Sequence, residues 1–337
     1  MEKQFLLAGD IGGTKTILAL FSHERGPLQP HFEASYQSND FPGLDAIITE
    51  FLSQTDISAA VACFGVAGPV RDGRAIITKL PWQPDTRMLQ DAHDFDRVTL
   101  INDLVATGYA IPHLIPSDYY AINKGFITAE GSLGIIAPGT GLGEALFAWE
   151  GERYIGVASE GGHSDFAPQT ETEIDLLKFL KNRYGHVSYD RICSGQGLPD
   201  IYDFLKETCK LKEPAWLKEE LAVVDDRTPV IVNGALDNSR ECAICDKTLQ
   251  MFVAILGAEA GNLALNGLTT GGIFLGGGIS PRILPFLQQK TFLASFCQKG
   301  RMSYLLNDIP VKVILNSRAA LIGAASFGLG LKFAALK

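Results

Sequence analysis

The sequence predicts an α/β protein made of two domains of like architecture. Three observations carry that expectation. Short apolar or β-branched runs alternate with segments of helical spacing, glycine-rich turns follow strand-like runs at 9–14, 139–143 and 276–278, and each half of the chain opens with strand, glycine turn, strand. At 337 residues and 46% hydrophobic content the chain suffices for about two domains with sizeable cores.

Phe5-Leu6-Leu7-Ala8 reads as the first strand and Thr16-Ile17-Leu18-Ala19-Leu20-Phe21 as the second. The segment Gly9-Asp10-Ile11-Gly12-Gly13-Thr14-Lys15-Thr16 misses a Walker A loop at Thr14 alone, where that loop has glycine. A Walker loop leads into a helix, whereas a strand follows here. The expected structure is therefore a hairpin through Gly12-Gly13, with left-handed backbone at the glycines and N–H groups converging on an anion. Asp10, just ahead of the turn, is placed to hold a water-coated Mg2+.

Asn39 or Asp40 as cap and Pro42 in the first turn precede Leu44, Ile47, Ile48, Phe51 and Leu52, which predicts a helix. Strands are expected at Ala59–Val66, stopped by Gly68-Pro69, and at Val98–Ile101. The pattern breaks around Pro112 and Pro116, and a second cycle starts with Gly134–Ala137 before the turn Gly139-Thr140-Gly141-Leu142-Gly143. Helices over about 173–184 and 239–266, strands at 273–275 and 311–314, and an alanine-rich helix from about 318 complete the expectation. The domain boundaries follow, with 1–112 plus 318–337 in a smaller domain and 113–317 in a larger one.

A net charge of −9 leaves no basic stripe for nucleic acid. No stretch is expected to reach the roughly 18 uncharged apolar residues of a membrane span, and Met1-Glu2-Lys3-Gln4 does not open a signal peptide, so no membrane partner and a cytoplasmic address are expected. The six cysteines are too scattered for a disulfide framework, and Cys242-Ala243-Ile244-Cys245 stands alone inside a predicted helix, as buried small side chains do.

Three glycine turns after apolar strands point together to a bound nucleotide. Glu144 stands where a dinucleotide fingerprint beginning at Gly139 needs glycine, so a mononucleotide triphosphate is favoured. Asn102-Asp103 closes a strand ahead of the helix-like Leu104-Val105-Ala106. It reads either as a helix cap or as polar groups presented at a strand end. Ser159-Glu160-Gly161-Gly162-His163-Ser164-Asp165-Phe166 is a glycine-bent polar loop suited to a polyhydroxylated ligand such as a sugar. A metal site from Glu160, His163 and Asp165 lacks a completing His or Cys cluster.

Five ordered blocks, Gly9 to Thr14, Ile101-Asn102-Asp103, Ala137 to Gly143, Glu160-Gly161-Gly162-His163 with Asp165-Phe166-Ala167-Pro168, and Gly276-Gly277-Gly278-Ile279, resemble bacterial glucokinase over nearly the whole chain. The resemblance implies a hexokinase/actin-like, ribonuclease H-like fold, with an interdomain cleft whose two domains close over a sugar and ATP. It implies Asp103 as general base at the glucose 6-hydroxyl, with Asn102, Glu160 and His163 hydrogen-bonding the other hydroxyls. Gly9, Asp10, Ile11, Gly12, Gly13 and Thr14, with Gly139, Thr140 and Gly141, would cradle the ATP phosphates. Gly276, Gly277 and Gly278 would approach adenosine, Mg2+ would sit near Asp10, and the enzyme would be a homodimer.

Two positions depart from the family. Asp190, before Arg191-Ile192-Cys193-Ser194-Gly195, replaces a sugar-binding glutamate and reaches one methylene less far, which leaves its role and the sugar preference open. Lys79 replaces an asparagine and is expected to point to solvent. The competing readings are a kinase for another hexose such as mannose or with a donor other than ATP, a sugar-binding regulator, and an inactive actin-like scaffold. The regulator reading lacks room before Phe5 for a DNA-binding module, and the scaffold reading conflicts with intact Asp10, Asp103 and Glu160.

Overall fold

The computed structural model describes residues 5–77 and 80–331, so Lys79 and the first four residues lie outside the described residues. The chain forms two compact units. One gathers the chain up to 119, 147–158 and the chain from 316, and the other gathers 120–146 and 159–315. Residues 147–158, expected with the larger domain, join the first unit. There the Phe147 ring meets Tyr109 edge to face at 5.4 Å, and the Gly156 N–H donates to the Tyr109 hydroxyl at 3.2 Å.

The first unit is built on strands β1 (Phe5–Ile11), β2 (Lys15–Phe21), β3 (Phe32–Gln37), β4 (Ala59–Val66) and β7 (Arg97–Asn102), with the short ribbon β5 (Val70–Arg71) and β6 (Arg74–Ala75) between them in sequence. The sheet order is β3-β2-β1-β4-β7. β1, β2 and β3 are antiparallel neighbours, while β4 runs parallel to β1 and β7 parallel to β4. The period of two in β1 and β2 builds two cores. Leu7, Ile11, Leu18 and Leu20 pack with Ile47, Ile48 and Phe51 of the helix Leu44–Leu52 on one face. Leu6, Ala8, Ala19 and Phe21 pack with Leu321, Ala324 and Ala325 of the helix Ala319–Gly328 on the other.

Two local expectations are corrected. The helix Leu44–Leu52 is capped by Gly43 in extended backbone, so neither Asn39 nor Asp40 serves. Gly12 does not adopt a left-handed φ. Its N–H donates to the Lys15 carbonyl at 3.0 Å, and a Cβ there would meet that same oxygen at 2.9 Å, so close approach is what requires glycine.

The remaining strands are β8 (Tyr119–Asn123), β9 (Leu133–Pro138), β10 (Leu142–Trp149), β11 (Tyr154–Ser159), β12 (Gly272–Leu275) and β13 (Val311–Ile314), in the order β11-β10-β9-β12-β13-β8. β12 is parallel to both β9 and β13. Counted from its own first central strand β9, this sheet repeats the 3-2-1-4-5 order of the first. That doubling is what the repeated strand, glycine turn, strand pattern predicts.

The helix Ala243–Gly267 forms the spine of the second unit, with Leu249, Phe252, Ile255, Leu256 and Leu263 in its core. It corrects the expectation that no stretch is long and apolar enough to cross a membrane: by length and composition this one is, and most of it is buried in the fold. Cys242 and Cys245 are unpaired and buried at its start.

Candidate active site

In the first unit Asn102 ends β7 and caps the helix Asp103–Ala110, its Oδ1 accepting from the Leu104 and Val105 N–H groups at 3.0 and 3.3 Å. The cap reading holds for Asn102, yet its amide nitrogen still donates to the Gly68 carbonyl at 3.2 Å. Asp103 is the first helical residue, and its Oδ1 accepts the Leu104 N–H at 3.0 Å. Burial pushes its carboxyl up to about 6, against the opposing pull of the Leu104 N–H. This carboxylate is ionised at neutral pH and more basic than an ordinary aspartate.

Asp10 lies in β1 just ahead of the hairpin turn. Burial first, and the negative charge of Asp103 second, push it up to about 7, with Lys15 opposing. A carboxylate so costly to ionise suits a divalent cation, which offsets both effects. Among the described residues no three His, Cys, Asp or Glu side chains converge for a metal. That donor set fits Mg2+ held by one carboxylate, water and phosphate oxygens.

The hairpin itself is braced by a residue that sequence reasoning missed. Buried Ser38 donates its hydroxyl to the Gly12 carbonyl at 2.8 Å and its N–H to the Thr14 carbonyl at 2.8 Å, and its hydroxyl lies 3.0 Å from that of Thr16. Nothing local in the sequence marks it.

In the second unit, Gly139, Thr140 and Gly141 connect β9 to β10, and Thr140 is exposed at the tip. The Gly139 N–H donates to the Gly141 carbonyl at 2.8 Å, and the Gly195 N–H donates to the Gly139 carbonyl at 2.8 Å. Asp190, on the short helix Tyr189–Ile192, directs its Oδ1 at this turn and accepts the Leu142 N–H at 2.7 Å. Glu160 and His163 are exposed on a tight turn, closed by the His163 N–H on the Glu160 carbonyl at 2.9 Å. Asp165 pairs with His186 at 2.7 Å, apart from any metal set. Gly276 is buried, whereas Gly277 (φ 74°) and Gly278 are exposed after β12.

Beneath the Glu160 loop lies a second feature that the sequence did not disclose. Glu144 and Glu259 are buried together, and burial raises both carboxyls above the ordinary glutamate range. Asn262 donates to Glu259 at 2.8 Å and to the Tyr189 hydroxyl at 3.1 Å, and Lys299 binds Asn262.

The chain matches the model of the family described as Glucokinase over residues 7–329. The chain belongs to the glucokinase family. It is 41% identical over 333 residues to the glucokinase of Trichormus variabilis, covering 95% of this chain and 97% of the relative. It is 33% identical over 324 residues to that of Shigella dysenteriae, covering 96% of each. Among solved structures, a glucokinase from an Antarctic psychrotroph matches with a TM-score of 0.83 at 31% identity over 97% of this chain and 99% of the other. The Balamuthia mandrillaris glucokinase, solved with glucose, shares the fold at a TM-score of 0.78 and 22% identity, over 97% and 94% of the two chains. Membership in the glucokinase family makes the chain a sugar kinase, an enzyme that phosphorylates glucose, on the actin-like ATPase fold.

Proposed function

We propose that the enzyme transfers the γ-phosphoryl group of ATP to the 6-hydroxyl of glucose, with Asp103 as the general base. The observation that carries this reading is the Asp103 carboxyl, fixed at a helix start by the Leu104 N–H and held near 6 by burial. Such a group is ionised when it meets the sugar and basic enough to take the hydroxyl proton as the bond to phosphorus forms. Phosphoryl transfer passes through a loose transition state, so the carboxylate acts mainly by orienting the hydroxyl.

Asn102, Glu160 and His163 are the groups we assign to the remaining sugar hydroxyls. Their support is spare hydrogen-bonding capacity: Asn102 has a second amide hydrogen beyond the one on Gly68, and Glu160 and His163 are exposed. We assign the Gly9–Thr14 hairpin and the Gly139–Gly141 turn to the ATP phosphates, and the exposed Gly277 and Gly278 to the adenosine. Asp10 would hold Mg2+, which when bound neutralises charge on the phosphate oxygens. A cytoplasmic address is supported by the six unpaired cysteines. The homodimer rests on the resemblance alone.

Asp103→Asn tests the base. Its kcat should fall by about 10^2- to 10^4-fold while glucose binding, followed by titration calorimetry, survives. A near-normal kcat would remove Asp103 from the reaction.

A further inference from the structure

The one acid that departs from the family pattern is bound to the turn we assign to phosphate. Asp190 accepts the Leu142 N–H at 2.7 Å, and its Oδ1 would lie 2.5 Å from a Cβ at Gly141. The segment behind it grips the same turn a second time through the Gly195 N–H on the Gly139 carbonyl at 2.8 Å. The base of Asp190 is itself fixed. Its neighbours Tyr189 and Ile192 are 2% and 0% exposed, Ser188 caps the helix through the Arg191 N–H at 3.3 Å, and the Tyr189 N–H donates to the Ser164 carbonyl at 3.1 Å.

We propose that Asp190 is a positioning residue for the Gly139–Gly141 turn, so that the acid here sets nucleotide affinity rather than sugar affinity. The proposal rests on the reading that this turn binds ATP phosphate. Leu142 N–H points at the carboxylate and is held there, which fixes the backbone of Gly141 and leaves the turn tip with one conformation to offer an anion. Preformed donors bind more tightly because no ordering remains to be done. From the same fixed helix, glutamate would carry its carboxylate one methylene beyond the position that accepts the Leu142 N–H, whereas aspartate holds its Oδ1 where a Cβ at 141 would meet it at 2.5 Å. Asparagine keeps an acceptor oxygen in place and removes the charge that opposes phosphate.

Steady-state constants for both substrates of Asp190→Ala, Asp190→Asn and Asp190→Glu test this. The alanine and glutamate variants should raise KM for ATP about tenfold and leave KM for glucose within about twofold, while the asparagine variant returns KM for ATP to the wild-type value or below. A rise in KM for glucose with KM for ATP unmoved overturns the proposal and returns Asp190 to the sugar. Gly141→Ala, alone and combined with Asp190→Ala, separates this failure from failure of the turn assignment. If thermal unfolding shows the two substitutions strongly coupled while neither changes KM for ATP, the clamp exists but the turn does not grip nucleotide, and both readings fall. If the alanine variant does not fold, the asparagine and glutamate variants decide the question by the same split.

Discussion

The backbone N–H of Leu142 and the carboxylate of Asp190, 48 residues apart in sequence, are joined by a 2.7 Å hydrogen bond. This contact changes what the shortened acid means. From the sequence alone, Asp190 reads as an acid one methylene short of the family's sugar-binding glutamate, with its role open. With its carboxylate engaged by Leu142, the added methylene displaces an existing hydrogen bond instead.

The pH profile should report the Asp103 carboxyl. It titrates near 6 because burial disfavours its charge. Below that pH it carries the proton and accepts none from the sugar, and above it the base form is present. With MgATP saturating, kcat/KM for glucose should be level above about pH 7 and fall about tenfold per unit on the acid side of the limb. A profile that stays level down to about pH 5 would show that this carboxyl does not gate the reaction.

Stability should respond to pH through Glu144. Its Oε1 is buried with no hydrogen-bond donor, so the site favours the protonated carboxyl, which can share its proton with Glu259. A carboxyl raised in the fold contributes stability that is complete below the ordinary value of 4.5 and is lost as pH rises through the folded value. Glu144→Gln supplies a permanent neutral donor. Thermal unfolding between about pH 5 and 9 should show the wild type losing Tm relative to the variant as pH rises, and parallel curves would refute the shared proton.

Asn102 combines two duties that substitution can separate. Asn102→Ala removes the side-chain oxygen that caps the helix Asp103–Ala110 and should cost about 1 kcal/mol of stability, read as a lower Tm, whereas Asn102→Asp keeps the cap. Both remove the amide donor and should raise KM for glucose. If the aspartate variant binds glucose normally, Asn102 serves the fold, as helix cap and tie to Gly68, and not the sugar.

Much of the fold was legible because its signals are local. The runs in β1, β2, β4 and β9 are apolar or β-branched, those in β1, β4 and β9 run into glycine turns, and the helix expected at 239–266 is found at Ala243–Gly267. β3 escaped notice because its alternation of exposed and half-buried residues is weakly apolar. The candidate site was legible where its residues cluster in one segment, as in Asn102-Asp103 or the Glu160 loop. Ser38 under the hairpin, Asp190 on Leu142 and the Glu144–Glu259 pair were not, since each joins positions far apart in the chain that no local pattern relates. Gly12 shows a subtler gap: its identity was anticipated but its reason was not, because crowding by the Lys15 carbonyl leaves no trace in the sequence.

Leu142 has one more neighbour. Its carbonyl oxygen fills the space where a side chain on Gly162 would lie, so the loop carrying Glu160 and His163 rests on the same residue whose N–H holds Asp190. If that loop holds the hexose and the 139–141 turn the nucleotide, as proposed above, reshaping the loop to admit a different hexose would press on Leu142 and reach the nucleotide end of the reaction. On that assignment, selection for a new sugar and retention of the old donor would be competing demands on a single peptide unit, and variants that satisfy both would be sought with compensating changes at Asp190 or Gly141.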